Sequence, residues 1–297
     1  MITKWISLLL VFVVVLSGCV PSERVASADI AADKDTIFES GNASVNGGGI
    51  NKEVLDAMAS RDPDPLKSLW NDFWTLPEVV IEETPEMALK PGNSFLLLAA
   101  GGASIAMHNS GADAQVAKNF ENRGNLNKDV DKLGDYIGGP GQHFAAAGIW
   151  YLMSANAGDE LNKDRSWTMI KALSVTGAST LALKGIRHNK TPNGKSLAWP
   201  SGHTSSSFTV ASVLDEFYGP EVGIPAYIGA SFVGYRMMDS GDHWASDVLF
   251  GGVLGYLVGH HVAGKDEAAR IAGFDLQPLT VLDTGEPVTG LSLVKRF

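Results

Sequence analysis

Pro200-Ser201-Gly202-His203 stands at what reads as the start of a helix, followed by four small hydroxyl residues, Thr204 to Ser207, and then an apolar run. A helix N-terminus offers unpaired N–H groups and a partial positive charge, which together seat a phosphate. An imidazole at that seat can move a proton. The same four residues also read as a plain cap, with Ser201 capping and Gly202 turning the chain. Two further clusters follow the same logic. In "LKGIRHNKTPNG", Lys184 and Arg187 are three apart at the end of a helical pattern and can face one point, Lys190 follows, and Pro192 closes the segment. In "YRMMDSGDHWASD", Arg236 ends one helix, and His243 and Asp247 sit four apart at the expected start of the next. A carboxylate at that spacing reaches an imidazole nitrogen.

Taken singly, each cluster has an ordinary explanation. Basic residues at a helix C-terminus complement the dipole, and His243 with Asp247 can form a surface pair. "DSGD" (239–242) reads as a solvated turn, with too few oxygens for calcium. His260-His261 reads as a helix-surface pair rather than a metal site, with either histidine alone able to be core, and His108, His143 and His188 carry no evident role. Together the clusters supply two histidines, a carboxylate orienter, several cations and a helix N-terminus. That set suits metal-free phosphoryl transfer: one imidazole attacks phosphorus, the other protonates the leaving oxygen, and cations hold the remaining oxygens. The chain has no G-x-S-x-G elbow, H-E-x-x-H pair or P-loop.

The elements that must position these residues are helical. Apolar residues recur at helical spacing over 64–76, 93–107, 141–155, 165–188, 203–218, 222–238 and 243–264. Several of these runs are apolar on most sides yet broken by Gly or Ser, and none has about 20 uninterrupted apolar residues, so they predict a soluble bundle rather than spans. The expected fold class is all-α, over residues 62–264. The tail, 265–297, has β-branched runs around "DTGEP" and predicts a β-hairpin.

The N-terminus predicts export. "MITKWISLLLVFVVVLSGC" has one early cation, a short apolar run and small residues before Cys19, the single cysteine of the chain. Its ending resembles a bacterial lipoprotein box, so residues 1–18 are the expected signal peptide and Cys19 the lipidation site. Residues 19–61 are small and polar and read as a flexible tether. Val20 in place of an aspartate favours the outer membrane by resemblance to the known sorting rule. The formal net charge is −10, and loss of the signal peptide removes one cation and no anion. An acidic chain is a poor fit to nucleic acid or to an anionic membrane surface, so no nucleic-acid partner is expected and anion binding must be local.

The order and spacing of the three clusters resemble the type 2 phosphatidic acid phosphatase superfamily, which includes bacterial acid phosphatases and vanadium haloperoxidases. Its pattern is K-x6-R-P, then P-S-G-H, then S-R-x5-H-x3-D. Lys184 and Pro192 fit the first part, residues 200–203 match the second in full, and Arg236, His243 and Asp247 fit the third. The resemblance implies a helical, metal-independent phosphatase without cofactor. It makes His243 the nucleophile, Asp247 its orienter and His203 the acid for the leaving group. Lys184, Ser201, Gly202 and Arg236 would bind phosphate. There are three departures: Thr191 replaces the arginine before Pro192, Tyr235 replaces the serine before Arg236, and six residues rather than five separate Arg236 from His243. The first removes a bidentate phosphate clamp, for which Arg187 and Lys190 are the nearby substitutes. The implied substrate is a phosphomonoester or diphosphate, on a small molecule or a lipid, met by an enzyme anchored to the membrane through lipid and facing the periplasm. The alternatives are a vanadate-dependent haloperoxidase and a catalytically degenerate envelope interaction protein.

Overall fold

A computed structural model describes residues 64–122 and 126–264 with their side chains, and the backbone of three strands beyond them. The expected signal peptide, Cys19 and the 19–61 tether lie outside the described residues. Among the described residues ten helices follow one another: α1 (Pro65–Phe73), α2 (Leu76–Leu89), α3 (Pro91–Asn109), α4 (Ala112–Glu121), α5 (Lys128–Gly138), α6 (Pro140–Ala157), α7 (Glu160–Arg187), α8 (Gly202–Tyr218), α9 (Pro220–Asp239) and α10 (Ala245–Gly264). The fold class is all-α, as expected for this domain. Helices α2, α4 and α5 are additional to the seven expected segments. Pro85 lies inside α2, and α4 is short and mostly polar, so neither shows a clean apolar period, whereas α5 carries Val130, Leu133 and Ile137 at helical spacing, a signal that the seven expected segments leave out.

Local chemistry sets the ends. Asp64 caps α1 by accepting from the Lys67 amide at 3.1 Å, with Pro65 in the first turn. Asp159 caps α7 by accepting from Asn162 at 3.0 Å. His188 ends α7 in the left-handed region, φ 48°, which turns the chain sharply after Arg187.

The core lies where α7, α8, α9 and α10 meet. It contains Met169, Leu173 and Val175 of α7, Val213 of α8, Val233 and Met237 of α9, and Leu254, Leu257 and Val258 of α10. The seam between α8 and α10 is close. A Cβ on Gly255 would lie 2.0 Å from the Ser205 carbonyl oxygen, and one on Gly251 2.7 Å from that of Ser201. Glycine at these positions lets the α10 backbone press against the first turns of α8. Hydroxyl pairs, Thr176–Thr209 at 2.7 Å and Thr180–Ser205 at 3.1 Å, tie α7 to α8 and satisfy polar groups that burial would otherwise penalise.

No described helix is long and apolar enough to cross a membrane. Leu66, Trp70 and Phe73 of α1 and its C-cap Trp74 are exposed. Beyond α10, β1 (Arg270–Ile271), β2 (Phe274–Asp283) and β3 (Glu286–Val294) pair antiparallel in that order.

Candidate active site

The tight α8–α10 seam brings two of the three sequence clusters into backbone contact. Ser201 is the N-cap of α8, and its N–H donates to the Asp247 carbonyl at 3.1 Å. The Ser201 hydroxyl accepts from the Thr204 hydroxyl at 2.9 Å and from the Thr204 amide at 3.4 Å. Capping is therefore a real role of this residue. His203 lies in the first turn of α8, partly exposed.

His243 does not belong to α10. It sits in the turn before it, with its N–H on the Met237 carbonyl at 3.0 Å. The i, i+4 contact with Asp247 nevertheless forms: His243 Nδ1 lies 3.4 Å from Asp247 Oδ2, which also accepts from the Trp244 amide at 2.9 Å. Asp247 is fully buried, and its Oδ1 makes no hydrogen bond. Such an acceptor is costly to bury, and it concentrates negative charge behind the imidazole. Helix α4 fixes the turn from the other side, because Asp113 accepts from the Ser246 amide at 3.0 Å and the Ser246 hydroxyl at 2.6 Å.

A cleft of about 380 Å³ collects Lys184, Lys195, His203 and His243, together with Asp135 and Asp242. Lys184 reaches it from the last turn of α7, where its ammonium donates to the carbonyls of Leu197 and Ala198. Burial lowers the Lys184 pKa, opposed by the charge of Asp247. Burial likewise lowers that of His203, opposed chiefly by Asp135, whose Oδ1 lies 3.5 Å from Nε2. Arg236, near the end of α9, is buried behind these groups. It donates to Asp131 at 2.7 Å, to Asp135 at 2.9 Å and to Asp242 at 3.2 Å. The guanidinium expected to hold phosphate thus holds three carboxylates.

The remaining expectations divide. Arg187 stacks over the Trp199 ring at 5.2 Å, and Lys190 is exposed; neither lines the cleft, nor do Ser201 and Gly202. Lys195 does, and it was not foreseen. It donates to Asp242 at 2.6 Å from a turn in which buried Thr191 accepts its amide at 2.9 Å. "DSGD" is not a solvated turn. Asp239 is buried and accepts from the Leu126 amide, and Asp242 is held by Lys195, Ser240 and Asn193. Burial would raise the Asp242 pKa, but these bonds pull it down to about 2. His143 is buried against the Ser206 hydroxyl, and desolvation takes its pKa down to about 4. His260 and His261 are buried, not a surface pair. Asp131, Asp135, Asp242 and Lys195 escape sequence reasoning because their partners lie far along the chain. The one available hint is the i, i+4 spacing of Asp131 and Asp135 on α5.

The profile of the PAP2 superfamily matches residues 104–267, more than half of the chain. The chain belongs to the PAP2 superfamily. The match starts within α3 and ends before β1, so it supports the helical domain and gives the C-terminal hairpin no support. Among curated proteins, a lipid A 1-phosphatase of Porphyromonas gingivalis is 42% identical over 65 residues, which are 21% of this chain and 15% of that protein. The chain therefore matches only a small part of that relative's length. Two solved PAP2-like folds are similar. LpxE of Aquifex aeolicus has 18% identity and a TM-score of 0.43, over 51% of this chain and 94% of that one. A transmembrane PAP2-type phosphatidylglycerolphosphate phosphatase from Bacillus subtilis has 19% identity and a TM-score of 0.48, over 58% and 94%.

Proposed function

We propose that this PAP2 protein is a phosphatase acting on a lipid phosphate, without a metal ion, through a phosphohistidine on His243. The observation that carries this reading is the shared cleft in which His243, backed by buried Asp247, faces the same space as His203, Lys184 and Lys195. Asp247 holds Nδ1, so Nε2 is the attacking nitrogen. It forms a P–N bond as the P–O bond to the leaving group breaks, and His203 gives its proton to the departing oxygen. Water then attacks the phosphohistidine, His203 takes that water's proton, and phosphate leaves. The lysines and the Arg236 guanidinium balance charge on the transferring oxygens. Phosphate must compete with Asp135 and Asp242 for Arg236. The long 3.4 Å contact between His243 and Asp247 is typical of a catalytic pair before substrate tightens it.

Lipid is the favoured substrate class because the curated relative is named as a lipid A phosphatase and because α1 and its C-cap expose Leu66, Trp70, Phe73 and Trp74 to what would be a lipid surface. Lipidation at Cys19 and residence in the bacterial envelope, at the outer membrane, complete the proposal. A second reading, a catalytically degenerate envelope protein, is favoured by the saturation of Arg236 by three carboxylates and by Thr191. One experiment separates them. Phosphate release is measured in detergent, in the presence of a chelator, from lipid A, phosphatidic acid, phosphatidylglycerol phosphate, undecaprenyl diphosphate and nucleotides. Turnover of at least one lipid that is lost in His243→Ala supports the enzyme; silence across the whole panel supports the degenerate reading.

A further inference from the structure

The C-terminal end of α10 carries two adjacent buried histidines in different situations. Both ring nitrogens of His260 are engaged, Nδ1 with Glu216 Oε1 at 2.5 Å and Nε2 with the Tyr227 hydroxyl at 2.8 Å. His261 has a side chain only 3% exposed, yet neither of its ring nitrogens makes a well-aligned hydrogen bond. What it faces is two carboxylates. Glu83 and Glu86 lie three apart on α2, on one side of that helix. Glu83 Oε2 is 3.0 Å from His261 Nε2. One ligand atom from each of the three residues lies within 4.8 Å of the others.

We propose that Glu83, Glu86 and His261 bind a divalent transition-metal cation of the zinc class, fastening α2 to the end of α10. The donor set is one imidazole nitrogen and two carboxylate oxygens. A nitrogen donor selects zinc and its neighbours over magnesium or calcium, which prefer oxygen throughout. A metal ligand must be a neutral imidazole. The His261 side chain is buried with neither ring nitrogen in a well-aligned hydrogen bond, so a ring nitrogen is free to coordinate. Two carboxylates at a neutral ring leave negative charge that Lys90 alone offsets only in part, and a dication removes it. Glu86 is exposed and Glu83 partly so, which leaves the remaining coordination positions to water. Sixteen residues of helix separate Ala245 from His261, about 24 Å at helical rise. The ion therefore stands apart from phosphoryl transfer, and the proposal is independent of the catalytic reading.

The test uses untagged full-length protein freed of metal by chelation and titrated with zinc chloride by calorimetry, with magnesium chloride as comparison. The expected result is one zinc equivalent that raises the melting temperature, with magnesium inert. Glu86→Ala, an exposed position that leaves the fold intact, lowers zinc affinity at least about tenfold. His243→Ala and Cys19→Ser each keep the equivalent. Absence of zinc binding by the natural chain would leave Glu83 and His261 a plain ion pair and overturn the proposal. Undiminished affinity in Glu86→Ala, or loss of the equivalent in His243→Ala or Cys19→Ser, would overturn it equally.

Discussion

Helix α10 has histidine–carboxylate contacts at both ends, and the two ends differ in what surrounds them. At the N-terminal end His243 meets Asp247 at 3.4 Å and opens onto a cleft with Lys184, Lys195 and His203. At the C-terminal end His260 is closed off on both nitrogens by Glu216 and Tyr227, while His261 faces Glu83 and Glu86. A histidine–acid pair is therefore not what sets the proposed nucleophile apart. What distinguishes His243 is a ring nitrogen left free beside cations and a proton donor, with a buried carboxylate fixing the other nitrogen.

The sharpest way to break this contrast is to neutralise each carboxylate in turn. Asp247→Asn is expected to lower kcat by about 10²–10⁴ with the fold retained by circular dichroism, because the orienting charge is lost. Glu216→Gln, at the other end, is expected to leave kcat within about twofold of the natural enzyme and to act on stability instead, by about 1–3 kcal/mol in denaturant titrations. Equal effects on kcat would erase the distinction.

The seam that delivers the P-S-G-H turn to Asp247 offers a second, smaller lever. Gly255→Ala places a methyl where Ser205 already stands. It is expected to cost about 1–3 kcal/mol by thermal or chemical unfolding and to slow turnover by separating His203 from His243.

The pH profile sharpens the roles within the cleft. A leaving-group acid must be protonated, so activity falls as pH rises through the His203 pKa, which burial holds below the ordinary imidazole range. Asp135 opposes that shift. Asp135→Asn is therefore expected to move the alkaline limb of kcat/KM to still lower pH, by less than about one unit at this partly exposed contact. An alkaline limb moving to higher pH would exclude His203 as the acid. The smallest expected effect is that of chelation on chemistry: activity at ordinary assay temperature survives EDTA. A loss restored by added zinc or magnesium in protein whose fold the chelator has left intact would reject the metal-free mechanism.

The grouping of Lys184, His203 and His243 around one cleft was legible because these residues sit at helix ends, where short spacings such as His243 to Asp247 survive folding. Residues whose partners come from distant segments were not legible. Lys195 and Asp242 are 47 apart in sequence, and each sits in what reads as an ordinary polar turn. Asp113 lies on α4, whose short polar sequence hides the helix, and Asp131 and Asp135 lie on α5, whose apolar spacing of Val130, Leu133 and Ile137 marks a helix but not which partners its polar face meets. Arg187 and Lys190 had the right charge and the right neighbourhood, but Arg187 stacks on Trp199 and the turn after α7 leaves Lys190 exposed outside the cleft. His260 and His261 looked superficial because nothing in a helical period reveals that α2, α8 and α9 cover that end of α10.

The central claim is that His243, not His203, carries the phosphoryl group. Acid-quench trapping with a labelled aryl phosphate, on the natural enzyme and on His203→Ala and His243→Ala, tests it directly. The expected result is labelled protein with the natural enzyme, retained label with His203→Ala because an aryl oxide leaves without a proton, and none with His243→Ala. Label persisting in His243→Ala while vanishing in His203→Ala would reverse the roles and contradict this account of the site.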